Sequence, residues 1–451
     1  MIFRLIFGAL TRMSRDWWIV FAGFLSIIFT FGVPTLMMPV IYGPVIDEFG
    51  WTRAQVTLVV TLKFGAGAVF GIFFGALIDR FSVRRIVTIA SITSAIAMAS
   101  FLLVQSLWQF YAAGLVLGLG SITVMIAVKV IVSKRFMQNQ GLAIGATLLG
   151  TAVAGIFTPR LATMLIGLYG WREAIAFLSI GIWVVAIPSF LWIIKDLGSD
   201  EPKTEPAETR TNLTAKLPAV GAKQLATAEM DFADVIGSRT FWMIGLAVML
   251  IGFVDQSVGQ HMVMYLDRDV GLGPIVAANV LSAVFAISIV GKLGFGWFYD
   301  KLSVRGVMLC YFLMAVAVVL LFPVQILWVL ILFSIVRGLA HGGAIVDIPV
   351  LSKHCFGPKV LGKTIGILTA CVTVGFALGP PIVGYLYDTQ GNYRTAFFLL
   401  IGVSIAAGLS LLGVKATYRE RVMALERAAA NPVEPEPAWG SSSRERSGPS
   451  S

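Results

Sequence analysis

From Ile86 to Val104 the chain carries no charged side chain, and runs of that length recur along almost the whole sequence. A helix rises about 1.5 Å per residue, so roughly 20 apolar residues cross a bilayer's hydrocarbon core. Twelve such runs can be placed: 17–40, 54–77, 86–104, 108–131, 141–165, 174–194, 241–265, 275–298, 307–324, 326–350, 362–386 and 395–414. Of 451 residues, 57% are hydrophobic and 13% charged, about half the charged share of an ordinary soluble domain. No soluble fold of this size has the interior to hide that much apolar side chain. The sequence therefore predicts an all-α membrane protein of twelve transmembrane helices, with the lipid bilayer as its solvent.

The net charge of +10 raises the question of nucleic acid, and its distribution answers it. With the N-terminus inside, the inner segments hold Arg4, Arg12 and Arg15, then Arg80, Arg84 and Arg85, then Lys134 and Arg135. The later inner segments add Lys301, Arg305, Lys353, Lys359 and Lys363, besides the basic residues of the central loop and tail. The outer loops hold only Arg53, Arg172, Arg268 and Arg394. Lysine and arginine collect on the cytoplasmic side, so both termini are expected in the cytoplasm and no nucleic-acid partner is implied. The expected location is the cell's inner membrane. The start, MIFRLIFGALTRMSRDWW, lacks a small-residue cleavage site and reads as a cytoplasmic lead into helix 1. Cys310, Cys355 and Cys371 give no disulfide framework, and the histidines no metal spacing. Phosphate-binding glycine loops, paired catalytic carboxylates and nucleophile constellations are absent, so neither an enzyme nor a cofactor is expected.

The two halves repeat one design. GALIDRFSVRR (75–85) matches GWFYDKLSVRG (296–306), pairing Gly75 with Gly296 and Asp79 with Asp300 at an offset of 221. The same offset pairs Ser82 with Ser303, Arg84 with Arg305, Gly141 with Gly362, Gly145 with Gly366, Pro159 with Pro380 and Gly170 with Gly391. That register predicts a six-helix bundle over 1–194, a linker over 195–239, a second bundle over 240–415 and a disordered tail over 416–451. Parallel six-helix repeats with a site between them are a transporter plan.

These residues bring the argument to a family. The sequence resembles the major facilitator superfamily over nearly its whole length, because GALIDRFSVRR is similar to that family's loop between helices 2 and 3. The resemblance implies a cytoplasmic gate of Gly75, Asp79, Arg80, Arg84 and Arg85, with Gly296, Asp300, Lys301 and Arg305 as its second copy. Within the superfamily the chain resembles the monocarboxylate carriers and the bacterial oxalate–formate antiporter group, through DEFGWTRAQV (47–56), YGWREA (169–174), ADVIGSRTFW (233–242) and GKLGFGWFYD (291–300). Mammalian members carry a helix-1 lysine, but helix 1 here is uncharged from Ile19 to Tyr42. Their helix-8 aspartate falls on Ser288, and the oxalate carrier's helix-11 cation falls on Cys371.

A charge at bilayer depth is costly, so each is a functional candidate. The set is Lys63, Lys129, Arg160, Asp255, His261, Lys292, Arg337, His341 and Asp347, with none in helices 3, 6, 9 or 12. Lys129, Asp347 and Arg160 lie near membrane faces and read as structural, Asp347 pairing with Lys301 or Arg305. Lys292 lies eight residues before Asp300, roughly 12 Å inside by helical rise. The resemblance puts a substrate-binding arginine there, and a lysine keeps the charge without the fork. Arg337 and His341, four apart, share a helix face. With Lys63, Gln256 and Gln260 they complete the candidate substrate site. Asp255 is the one carboxylate far from both faces, so Asp255 and His261 are the candidate proton-coupling pair. Asp255 also fits as a counter-ion for Lys292, Lys63 or Arg337.

The expected function is a secondary active transporter of a small organic anion, monocarboxylate-like and proton-coupled, working as a monomer by alternating access. The alternative is a proton antiporter exporting an apolar or cationic compound, for which the spacing of Gly366, Gly375, Gly379 and Pro380 resembles an antiporter pattern in a different helix. A non-transporting membrane sensor is the remote third reading.

Overall fold

The computed structural model describes residues 15–136, 140–193 and 230–430. Twelve helical rods succeed one another. The first six are α1 Asp16–Phe49, α2 Arg53–Arg80, α3 Val83–Leu103, α4 Leu107–Arg135, α5 Gln140–Tyr169 and α6 Trp171–Leu191. The second six are α7 Arg239–Asp269, α8 Pro274–Leu302, α9 Val304–Val319, α10 Leu327–Phe356, α11 Leu361–Gln390 and α12 Arg394–Ser410. Nine of them, searched over the described residues, are long and apolar enough to span a bilayer; α9 and α12 are shorter apolar helices.

Helix α1 runs past the expected end at 40 because its prolines do not stop it. Pro34 and Pro39 stand in first-turn positions, and the ladder is loosened upstream by a π-helical stretch, Ile27–Gly32. Helix also forms at the end of the expected linker and in the tail expected to be disordered. A short helix, Phe232–Gly237, precedes α7, and the tail begins with α13, Thr417–Ala430. Ala, Glu, Arg and Met are strong helix formers. Tyr418 packs beneath Gly357, and Arg419 donates to the carbonyls of Asp300 and Lys301, so the segment is held to the second bundle.

The repeat is visible in the backbone. Left-handed glycines end α1 at Gly50 (φ 67°) and α7 at Gly271 (φ 79°), positions 221 apart. Gly170 (φ 93°) and Gly391 (φ 69°) do the same for α5 and α11. Only glycine takes these angles without a Cβ penalty.

Helices α3, α6, α9 and α12 present exposed Ile89, Ile96, Trp183, Val184, Leu309 and Phe398, the apolar faces that lipid would cover. The remaining helices meet between the halves: α2 against α11, α5 against α8, and the end of α1 against α7. The halves touch at one end and part toward the other. A methyl at Gly384 of α11 would lie 2.7 Å from the Ala54 backbone of α2. At Gly366, about five turns along the same helix face, it would meet nothing. We call the α1–α2, α7–α8 and α11–α12 loop end the sealed end.

Candidate functional site

Three of the candidate residues meet in the second half. The Asp255 carboxylate on α7 receives Arg337 Nη1 at 2.8 Å and His341 Nδ1 at 2.8 Å, both from α10. Arg337 Nη2 also donates to the Asp255 main-chain carbonyl at 2.9 Å. Of the three counter-ions considered for Asp255, Arg337 is the one in contact. The guanidinium is 3% exposed, and its Nε and Nη1 make no well-formed hydrogen bond, so donors remain within the fork. The Phe285 ring of α8 meets His341 edge-on, centroids 5.0 Å apart. Bare backbone lets α8 and α10 come this close. A methyl at Gly342 would lie 2.5 Å from the Ser288 carbonyl, and one at Gly291 2.7 Å from that of Leu339.

Two further lysines inside the bilayer meet no carboxylate among the described residues. Lys292 of α8 reaches across to Thr151 Oγ1 of α5 at 3.5 Å. Lys63 of α2, 2% exposed, donates to Thr35 Oγ1 of α1 at 2.5 Å, and Thr35 in turn donates to the Phe31 carbonyl. Phe31 and Phe64 present their rings to the ammonium at 5.4 and 5.7 Å. Thus helix 1, which lacks its own cation, receives one from α2. Gln256 is half-buried beside Asp255. Ser288 turns its hydroxyl back to the Phe285 carbonyl at 2.7 Å.

Gln260 and His261 belong elsewhere. Gln260 accepts from Tyr42 of α1 at 2.7 Å, a bond between the halves. His261 Nε2 faces the Pro380 carbonyl at 2.8 Å and Nδ1 faces the Tyr393 hydroxyl at 2.9 Å. A carbonyl only accepts, so Nε2 carries the proton and Nδ1 accepts from Tyr393. Burial raises the Tyr393 phenol above its ordinary pKa, which keeps that donor protonated. His261 and Asp255 therefore sit in separate networks.

Tyr393 connects His261 to a lock that the sequence did not reveal. Arg53 Nη1 of α2 donates to Tyr393 at 2.8 Å and to Asp269 of α7 at 2.7 Å, while its guanidinium lies 3.5 Å above the Tyr387 ring. Arg268 of α7 grips Asp47 of α1 through Nη1 at 2.8 Å and Nη2 at 2.5 Å. Those two positions are 221 apart, so the bond joins repeat equivalents across the pseudo-twofold axis. The start of α2 is finished by both halves. Thr52 and Gln55 form a reciprocal capping box, and Asp388 of α11 accepts from the Arg53 and Ala54 amides at 2.9 and 2.8 Å. A cleft of about 240 Å³ lies at this end, lined by Pro39, Gly43, Asp47, Met264 and Arg268, away from Asp255. The missed signal was opposite charge at equivalent positions, Asp47 and Arg268.

The opposite end shows no such lock among the described contacts. Arg84 donates to the Leu191 carbonyl at 2.8 Å, Lys301 lies 3.9 Å over the Trp297 ring, and both contacts stay within a half. Arg85, Asp300 and Arg305 are exposed, and a methyl at Gly296 would meet open space. The packing at Gly75 and the side chains of Asp79 and Arg80 lie outside the described residues. Asp347 does not pair with Lys301 or Arg305. It accepts from Tyr311 at 2.5 Å and from the Ile348 amide at 2.6 Å, because its helix face turns it toward α9.

Known proteins are similar to this chain in sequence and in fold. The model of the Major Facilitator Superfamily matches residues 19–268 and 244–446. Monocarboxylate transporter 12-B of Danio rerio is 25% identical over 381 residues, which is 81% of this chain and 78% of the relative. Monocarboxylate transporter 13 of Rattus norvegicus is 25% identical over 402 residues, 88% of each chain. The cis,cis-muconate transport protein of Acinetobacter baylyi is 23% identical over 404 residues, 87% of this chain and 92% of its own. A bacterial homolog of the human lysosomal transporter Spinster, inward-facing and unoccupied, has the same fold at TM-score 0.65 and 17% identity, covering 93% of this chain and 99% of that one. With twelve helices in two pseudo-symmetric bundles and a family model matching almost end to end, this multi-pass membrane transporter belongs to the Major Facilitator Superfamily.

Proposed function

We propose that the protein carries a small carboxylate across the membrane by alternating access, coupled to a proton. One observation carries the anion assignment: of the three cations inside the bilayer, Lys63, Lys292 and Arg337, only Arg337 meets a carboxylate among the described residues, that of Asp255. Buried charge without compensation is costly, and an anionic substrate supplies the compensation. The printed substrates of the relatives, monocarboxylates and muconate, are of this class.

In this reading Asp255 holds Arg337 while the site is empty. A substrate carboxylate engages Lys292 and the unused donors of Arg337. Asp255, released from its ion pair, takes a proton, and His341 at 2.8 Å is placed to pass it on. The halves then rock. The sealed end's pairs break, and a seal forms at the opposite end from Asp79, Arg80, Arg84 and Arg85 with Asp300, Lys301 and Arg305. The positive-inside pattern supports a cytoplasmic location for that end and for both termini, in a protein of the inner membrane acting as a monomer.

Uptake of radiolabelled carboxylates into proteoliposomes, with and without an inward proton gradient, tests the proposal. Gradient-driven accumulation is expected for the wild type. Asp255→Asn should retain exchange of preloaded substrate and lose the response to the gradient. A wild type that moves no carboxylate sinks the anion reading, and an Asp255→Asn variant that still responds to the gradient moves coupling to another residue.

A further inference from the structure

The repeat that relates the halves also relates two places where they cross, and there its two copies differ. Phe285 of α8 and Phe64 of α2 are 221 apart, and so are Phe376 of α11 and Gly155 of α5. The α2–α11 crossing sets ring against ring: the centroids of Phe64 and Phe376 are 5.4 Å apart and their planes are tilted by 58°. The α5–α8 crossing sets a ring against bare backbone. A methyl at Gly155 would overlap the Phe285 ring. The missing side chain leaves a notch, and the ring fills it. Phe285 thereby joins an apolar cluster of the first half, built on Ile28 and Leu36 of α1 and Ala154 of α5.

The two contacts differ in how they yield. Aromatic pairs keep their attraction over centroid separations of roughly 4.5–7 Å, so the rings of α2 and α11 can slip past one another. A ring in a notch has no such range, because a shift along α5 drives it onto close-packed neighbours. The helices part accordingly. At the sealed end a methyl at Gly384 of α11 would lie 2.7 Å from the Ala54 backbone of α2, whereas α5 and α8 there line a cleft through Thr163, Ile166 and Pro274. The same Phe285 ring meets His341 edge-on at 5.0 Å, and His341 Nδ1 lies 2.8 Å from the Asp255 carboxylate. The charged and titratable groups around that pair are Arg337 of α10, Lys292 of α8 and Cys310 of α9, while α5 brings the Thr151 hydroxyl. Asp347, further along α10, is taken up by Tyr311 and the Ile348 amide.

Resting on the reading of Asp255 and His341 as the proton site, we propose that Phe285 is a positioning residue that ties this site in the second half to α5 of the first. The Gly155 notch sets the ring, and the edge of the ring sets His341 against Asp255. When the halves turn, α5 carries the ring with it, His341 follows, and its bond to Asp255 is made or broken. The hold on a proton then alternates with the side that is open. Phe64, the equivalent ring, rests on another ring and touches neither His341 nor Asp255, so the relay belongs to one crossing only.

Linkage is reciprocal: if the arrangement of the halves changes the hold on a proton, protons change the balance of arrangements by the same factor. That balance can be read without any substrate, as the rate at which N-ethylmaleimide labels the full chain carrying Thr61→Cys and Cys371→Ser. In proteoliposomes this rate is expected to change by about fivefold or more between mildly acid and mildly alkaline pH, the lower end of such couplings. Adding Phe285→Leu, which keeps apolar bulk and removes the ring, should flatten the pH response. Gly155→Ala, which fills the notch and touches no ionisable group, should flatten it too. Phe376→Leu, at the equivalent crossing, should leave the response in place. Full responses in both Phe285→Leu and Gly155→Ala overturn the proposal, and so does an equal loss in Phe376→Leu. Labelling that ignores pH in the parent chain, while carboxylate uptake still follows the proton gradient, overturns the relay and leaves the coupled-carboxylate reading standing. Labelling that follows pH in a protein that moves no carboxylate overturns the carboxylate reading alone. Monodisperse elution of each variant in detergent guards against loss of the fold.

Discussion

The sealed end and the middle of this transporter use the same residue types with opposite bookkeeping. At the sealed end Arg53 has Asp269, Arg268 has Asp47, and Arg172 has Glu48 at 2.6 Å. In the middle Arg337 has Asp255, and Lys63 and Lys292 have no acid at all. A network that satisfies itself holds two halves together. One left short of counter-charge waits for a ligand. Under the proposed function, the difference separates the charges that close a path from those that receive a cargo, although all of them are arginines, lysines and aspartates.

The largest effect should come from breaking the one balanced pair in the middle. Arg337→Leu leaves Asp255 buried beside His341 alone and should cost about 3–5 kcal/mol of stability, the usual penalty for removing one partner of a buried pair. The double variant Arg337→Leu/Asp255→Leu should recover the thermal melting temperature and remain inactive in uptake. If the single variant melts normally, the pair is not what it is taken to be.

Lys292→Ala comes next. It removes a charge from the unbalanced set, so the fold should persist while uptake falls by about a hundredfold, on the scale of a lost charged contact to substrate. A variant that transports normally would exclude Lys292 from the site. At the sealed end, cysteines at positions 47 and 268, replacing Asp47 and Arg268, should be cross-linked by a bifunctional thiol reagent and stop transport until the link is cleaved. A cross-link that leaves transport intact would mean this end never opens. Removing Arg53 alone should shift the balance of conformations by about tenfold, the typical size of a coupling of 1–3 kcal/mol, read as faster labelling of a cysteine near Thr61.

The smallest effect belongs to a pair outside the membrane. Lys359 bonds Asp231 at 2.7 Å and holds its carboxyl below the ordinary range. A lowered folded pKa contributes stability above the unfolded value and loses it as pH falls through the folded one. Both side chains are exposed to solvent, 47% and 72%, so screening leaves little of it. Lys359→Ala should move the melting temperature by less than about 1 °C at neutral pH.

The sequence carried the large-scale order because that order is written in local signals. Apolar runs mark the rods, and the offset of 221 marks the repeat down to the left-handed glycines. Arg337 and His341 were readable as one face because four residues make about one turn. The partner of Asp255 was not readable, since Lys63, Lys292 and Arg337 are equal candidates until helix crossings set the distances. Asp347 shows the same limit: depth placed it near basic residues, while rotation about the helix delivered it to Tyr311. His261 and Gln260 looked like neighbours of Asp255 in sequence, yet both bond at the junction of the halves. The lock escaped because Asp47, Arg53, Arg268 and Asp269 read as loop charges, each unremarkable without its opposite. α1 outruns the expected end at 40 because its prolines stand in first-turn positions, and the tail expected to be disordered opens with α13.

The first turn of α2 has one more consequence. Its third amide is covered from within by Thr52, but its first two, Arg53 and Ala54, bond only to Asp388 of the other half. A helix start left bare gives its amides to water. Those two hydrogens should therefore exchange slowly with deuterium while the halves are docked, and quickly each time they separate. The molecule carries its own clock at this turn, and its ticking can be counted without attaching a label.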